Sequence, residues 1–93
     1  MKLPVRYDDL SPQDRRVVRE QYINKQSGRC YHCGASLYGL PDRSVRDLRI
    51  DRSLFPPNFF KFPIHLHHDH DTGMTLGAAH NHCNAVLWQY HKE

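Results

Sequence analysis

The feature that most restricts what this chain can fold into is a pair of matched gaps, Cys30-x-x-Cys33 and His80-x-x-Cys83. Three thiolates and one imidazole form a closed tetrahedral set of the kind that holds structural zinc. Gly34, directly after the first pair, lets the backbone turn tightly around a thiolate. His82 is an alternative to His80, but the His80–Cys83 gap repeats that of the first pair. Three cysteines cannot all pair with one another, and a knuckle of this spacing favours metal over disulfides. A staple is also what the size calls for. A chain of 93 residues buries a modest fraction of its surface, and six prolines with a mean hydropathy of −0.76 leave little prospect of a large apolar core.

A helix is expected over residues 11–27. Ser11-Pro12-Gln13-Asp14 supplies an N-cap, a proline at the first helical position and an acid at N3. Val17, Val18, Gln21 and Tyr22 follow at helical spacing, and Gly28 is a stop signal. Arg15, Arg16, Arg19 and Lys25 cover much of the remaining surface, either as a solvated face or as one that meets DNA or a second copy. Residues 30–34 form the knuckle, and 35–63 read as irregular. Phe62, Ile64 and Leu66 alternate with Pro63, His65 and His67, a strand pattern. Asp71-Thr72-Gly73 signals a turn, and Met74 to Leu76 can form a second strand. A helix then runs from about Asn81 to His91, with Cys83, Val86, Leu87 and Tyr90 at core spacing. Residues 62–91 thus read as strand, turn, strand, helix, within one domain spanning 1–93 of the α+β class.

The formal charge of +3 is compatible with a nucleic-acid partner without demanding one. Arg43, Arg46, Arg49 and Arg52 recur every third residue, interleaved with Asp42, Asp47 and Asp51. They suit phosphate contact or a salt-bridged loop equally. Phe55, Phe59, Phe60 and Phe62 are expected to pack the loop onto the domain as a satellite cluster rather than to stack on bases. The stretch Met1–Asp9 lacks the apolar segment of a secretory leader, and no apolar run nears the roughly 20 residues of a membrane span. A cytoplasmic, non-membrane protein is expected, monomeric or dimeric.

Histidine is the compositional outlier: six of the eight fall between His65 and His82. The run His65-Leu66-His67-His68-Asp69-His70-Asp71 is too polar to be core alone. It can supply both a cation site and a base, the two requirements of phosphodiester hydrolysis. A zinc-ribbon DNA-binding or adaptor domain without catalysis would account for the zinc, the basic charge and the aromatics. It would not account for this second histidine cluster.

The segments His67-His68-Asp69-His70-Asp71-Thr72-Gly73, Leu76-Gly77 and His80-Asn81-His82-Cys83-Asn84, preceded by the Cys30–Cys33 knuckle, resemble the recombination endonuclease VII branch of the HNH nucleases. The resemblance implies a small zinc-stapled ββα-metal (His-Me finger) domain that cuts DNA, in a bacterial or phage-infected cytoplasm. It puts His68 at the general base, His67 and Asn84 at the ligands of a catalytic divalent cation, and His70 at an auxiliary position. Cys30, Cys33, His80 and Cys83 fall on the structural zinc ligands. His67 replaces the family's aspartate, which turns the expected metal preference from magnesium toward manganese or nickel. Asp69 is the alternative oxygen ligand. Leu76 replaces an arginine, and the segment between Cys33 and His67 is longer than in relatives.

Overall fold

The computed structural model describes residues 2–92; Met1 and Glu93, the ends of the expected domain, lie outside the described residues. In chain order the elements are α1 (Pro12–Lys25), a short helix α2 (Arg43–Arg46), strands β1 (Ile64–His68) and β2 (Thr75–His80), and α3 (Asn81–His91). The result is a ββα unit preceded by a helix. Among the described residues no helix is long and apolar enough to cross a membrane.

α1 begins as its sequence dictates: the Asp14 N–H donates to Ser11 Oγ over 3.1 Å, and Pro12 takes the first turn. It ends in a Schellman arrangement, the Ser27 N–H reaching Asn24 O and the Gly28 N–H reaching Ile23 O. Both Ser27 and Gly28 are left-handed, at φ 56° and 73°. The stop therefore lies one residue before the glycine that signals it. Val18, Tyr22 and Ile23 are buried, whereas Val17 is exposed.

β1 and β2 pair antiparallel, Ile64 opposite His80 and His67 opposite Gly77, with a bulge between His67 and His68. The turn between them is built by Asp69, whose Oδ1 accepts from the Asp71 and Thr72 N–H groups over 2.7 and 3.0 Å. β2 runs to His80, well past the Leu76 limit expected from sequence. Gly77-Ala78-Ala79 has little strand propensity, and the extension is held by partners remote in sequence. Gln26 Oε1 accepts from the Ala78 N–H, and Gln26 Nε2 donates to Ala78 O. Gly77 is required here, because a Cβ would meet Gln26 Oε1 at 2.7 Å and the Tyr31 ring at 2.8 Å.

The N-terminal segment joins the hairpin from outside. Thr75 N–H donates to Val5 O, Tyr7 N–H donates to Gly73 O, and the Val5 N–H donates to Thr75 Oγ1. Tyr22 OH lies 2.9 Å from the same Thr75 Oγ1, so one buried threonine ties the N-terminal segment, α1 and β2 together. The core draws Leu10, Val18, Leu37, Val45, Leu66, Ala78 and Val86 from segments along the whole chain.

α3 follows β2 without a loop. Cys83, Ala85, Val86 and Leu87 are its buried residues. Tyr90, expected in the core, is half exposed, and its hydroxyl donates to Arg49 O over 2.6 Å. It clamps the middle loop instead. That loop is more regular than its sequence suggests. Asp42 Oδ2 accepts from the Ser44 N–H and hydroxyl, and Asp51 Oδ1 accepts likewise from Ser53, each capping a helical turn. Both carboxyls are held below their usual range by those serine hydrogen bonds.

Candidate active site

The four residues of the two matched gaps converge. The ligand atoms of Cys30, Cys33, His80 and Cys83 all lie within 4.8 Å of one another. His80 Nδ1 is 3.5 Å from Cys33 Sγ and 3.6 Å from Cys83 Sγ. Zinc bonds of about 2.3 Å to sulfur and 2.05 Å to nitrogen at tetrahedral angles would separate S and N by about 3.6 Å. The donor set therefore fits zinc in chemistry and in spacing.

The second contacts fix the same choice. His80 Nε2 lies 2.8 Å from Ser36 O, and a carbonyl can only accept, so the proton sits on Nε2 and Nδ1 keeps its lone pair for the cluster. His82 points elsewhere, donating from Nε2 to Val45 O over 2.8 Å. Backbone N–H groups of His32 and Asp42 approach Cys30 Sγ and Cys33 Sγ, where they stabilise thiolate charge. The Cys83 thiol hydrogen bond holds the Cys30 thiol down at about 4, while the same bond, burial and the Cys30 charge push Cys83 far up. Three thiols this close cannot all ionise unless a cation offsets their charge. Gly34 closes the knuckle at φ 77°, a region that favours glycine.

The second cluster is organised by β1 and α3. His67, which is almost fully buried, places Nδ1 2.9 Å from Asn84 Oδ1, and Asn84 Nδ2 lies 3.1 Å from His65 Nδ1. Asn84 thus bridges two alternate residues of one strand, and His65 fixes its orientation. Burial holds His65 below the ordinary imidazole value, so it stays a neutral acceptor at pH 7. Two cis ligands of an octahedral cation with bonds of about 2.1 Å lie about 3.0 Å apart. The His67–Asn84 spacing is compatible with that arrangement.

His68 follows across the bulge. Its ring stacks on Tyr7 at 4.0 Å between centroids and 10° between planes, and the Arg15 guanidinium lies 4.1 Å from the Tyr7 centroid. The His70 ring is 4.9 Å from that of His68. Burial, then the charges of His70 and His67, hold His68 below the ordinary imidazole value. Asp69 is on the turn, its carboxyl held low by the Thr72 and Asp71 N–H groups.

His65, His67, His68, His70 and Asn84 all border a groove of about 660 Å³. One wall is α1, which contributes Arg15, Arg16 and Arg19; the other is the phenylalanine loop with Trp88. Among the described residues no aspartate or glutamate lines it, and no carboxylate pairs with those three arginines. The four loop arginines do not reach this groove. Arg43 pairs with Asp47 at 3.9 Å on the surface, and Arg52 lies over Phe60 at 4.3 Å. Of the four phenylalanines expected to cluster, Phe55 packs against Phe59, Phe60 and Trp88, whereas Phe62 stays outside that cluster and exposed.

Sequence reasoning left the α1 face open between solvent, DNA and a second copy, because its arginines acquire a direction only when the helix packs on the hairpin. Tyr7 carried no signal at all. Comparison with protein-family models, with curated proteins and with solved structures finds no significant match.

Proposed function

We propose that the chain is a metal-dependent DNA endonuclease of the His-Me finger (HNH) kind, leaving 5′-phosphate and 3′-hydroxyl ends. The observation that carries this reading is the His67–Asn84 pair, 2.9 Å apart beside His68 on a groove that the described residues line with three arginines and no carboxylate. A lining of that charge selects a polyanion.

A divalent cation bound by His67 and Asn84 (manganese, nickel or magnesium) would supply charge neutralisation at the scissile phosphate and the leaving oxygen. His68 is the general base, taking a proton from the attacking water. Its lowered pKa keeps it neutral at pH 7, and such a base contributes about 10²–10⁴-fold. The Tyr7 stack holds its ring plane, and His70 is the auxiliary imidazole beside it. His65 orients Asn84. Asp69, whose Oδ1 maintains the turn, has a second oxygen that is the alternative cation ligand. The zinc held by Cys30, Cys33, His80 and Cys83 is structural: it fixes the start of α3 and thereby Asn84. Arg15, Arg16 and Arg19 bind phosphates at the groove, and Arg43, Arg46, Arg49 and Arg52 meet DNA further out. The working place is the cytoplasm of a bacterial or phage-infected cell.

The test is zinc-loaded protein with manganese on negatively supercoiled plasmid, whose torsional strain opens the duplex locally, followed by DNA ligase. Nicks that ligase reseals have the predicted ends. Intact plasmid, or nicks that ligase cannot seal, would overturn the reading.

A further inference from the structure

We infer that the groove takes an unpaired DNA strand, so the substrate is single-stranded or locally opened DNA rather than intact duplex. The inference rests on the endonuclease reading and adds the substrate class. Its basis is the asymmetry of the two walls. α1 offers three cations beside Pro12: Arg15 and Arg19, one helical turn apart, are separated by about 6 Å along the axis, with Arg16 between them in sequence. The facing wall is apolar, with Leu54, Phe55, Phe59 and Phe62 among its members.

Phe62 is the residue that the fold itself leaves unexplained. The residue is 62% exposed, yet its backbone is pinned, with Asn81 Nδ2 donating to Phe62 O over 3.0 Å and to Phe60 O over 3.3 Å. Lys61 Nζ lies 5.6 Å from its ring. Phe55 and Phe59 of the same lining pack with Phe60 and Trp88 as one aromatic cluster. A fixed aromatic face beside a cation-lined channel is a stacking platform for bases.

A duplex cannot use such a wall. Its bases have both faces covered by their neighbours, and it would present sugars and charged phosphates to Phe62. A single strand uses both walls together, phosphates on α1 and splayed bases on the phenylalanines. The groove volume of about 660 Å³ has the size of a small-molecule cleft, which suits a short unpaired stretch. Stacking of one base is worth about 5- to 150-fold in affinity.

The experiment measures binding by zinc-loaded His68→Ala protein, which is not expected to cut, using fluorescence anisotropy. The probes are a labelled single strand, the duplex of the same sequence, and a fork with unpaired arms. Single strand and fork should bind at least about tenfold tighter than duplex. Phe62→Ala should lower single-strand affinity about tenfold and Phe62→Tyr should restore it, with zinc content and circular dichroism unchanged in both. Duplex bound as tightly as single strand, or no loss in Phe62→Ala, would overturn the inference while leaving the endonuclease reading intact. Failure to bind any of the three probes would overturn both.

Discussion

Replacing Gly77 by alanine perturbs the strut between the zinc knuckle and the candidate catalytic strand. Gly77 stands opposite His67 in the hairpin and has no left-handed backbone, so the cost is steric. The new methyl would sit 2.7 Å from Gln26 Oε1 and 2.8 Å from Tyr31 Cδ2. Gln26 cannot simply swing away, because it accepts from the buried Ala78 N–H and donates to Arg29 O and Ala78 O. Stranding that N–H costs about 1–3 kcal/mol, and crowding the Tyr31 ring costs about 1–3 kcal/mol more. The unfolded chain returns about 0.5–1 kcal/mol, since alanine has less freedom to lose than glycine. The net loss is about 1–5 kcal/mol, a fall in Tm of at least about 4 °C for a domain this small. Thermal unfolding followed by circular dichroism at fixed excess zinc measures it. Gln26→Ala should be destabilising alone, and Gly77→Ala should cost less in that background, since one obstruction is gone. A Tm within about 3 °C of wild type, less than 1 kcal/mol on this scale, would refute the packing argument.

Metal analysis should find one zinc per chain, and Cys30→Ser should unfold the domain; a cooperative fold that survives complete zinc removal would contradict this. His67→Asp should shift cleavage preference from manganese or nickel toward magnesium with zinc content unchanged, whereas metal dependence lost only in Asp69→Ala would move the ligand to Asp69. Arg16→Ala and Arg19→Ala should each reduce the salt dependence of DNA binding by about one counterion, read from anisotropy across a salt series. His65 and His68 both have folded pKa values below the ordinary 6.5. The unfolded chain therefore takes up protons first, and stability should fall as pH drops below about 6.5 and level off beneath the folded values. Denaturant titrations between pH 7.5 and about 5 should show that slope, and its loss in the His65→Ala, His68→Ala double variant.

The elements whose signals are local were legible. The N-cap of α1 and the bounds of α3 follow from adjacent residues, and the two matched gaps predicted the cluster, with His80 rather than His82 in it; β1, by contrast, begins at Ile64 and not at Phe62, and it buries His67 beside Leu66 where alternation would have exposed it. What was hidden depends on contacts across the chain. β2 is extended by Gln26 and Tyr31, which meet it from about 50 residues away in the chain. Tyr7 meets His68 only because the N-terminal segment pairs beside the turn. Tyr90 has core spacing, yet the middle loop leaves it half exposed on the surface, where it holds Arg49. The Asp42 and Asp51 caps could have been found, since Asp-x-Ser occurs at both places. Reading those acids only as partners for arginine concealed it.

The most direct test of the central claim compares wild type with His68→Ala in single-turnover cleavage of DNA at saturating manganese. A base acts in the transition state and little in ground-state binding. The account predicts a rate lower by about 10²–10⁴-fold, with zinc content, unfolding and DNA affinity near wild type. Cleavage by His68→Ala within about tenfold of wild type would contradict it and remove His68 from the chemistry.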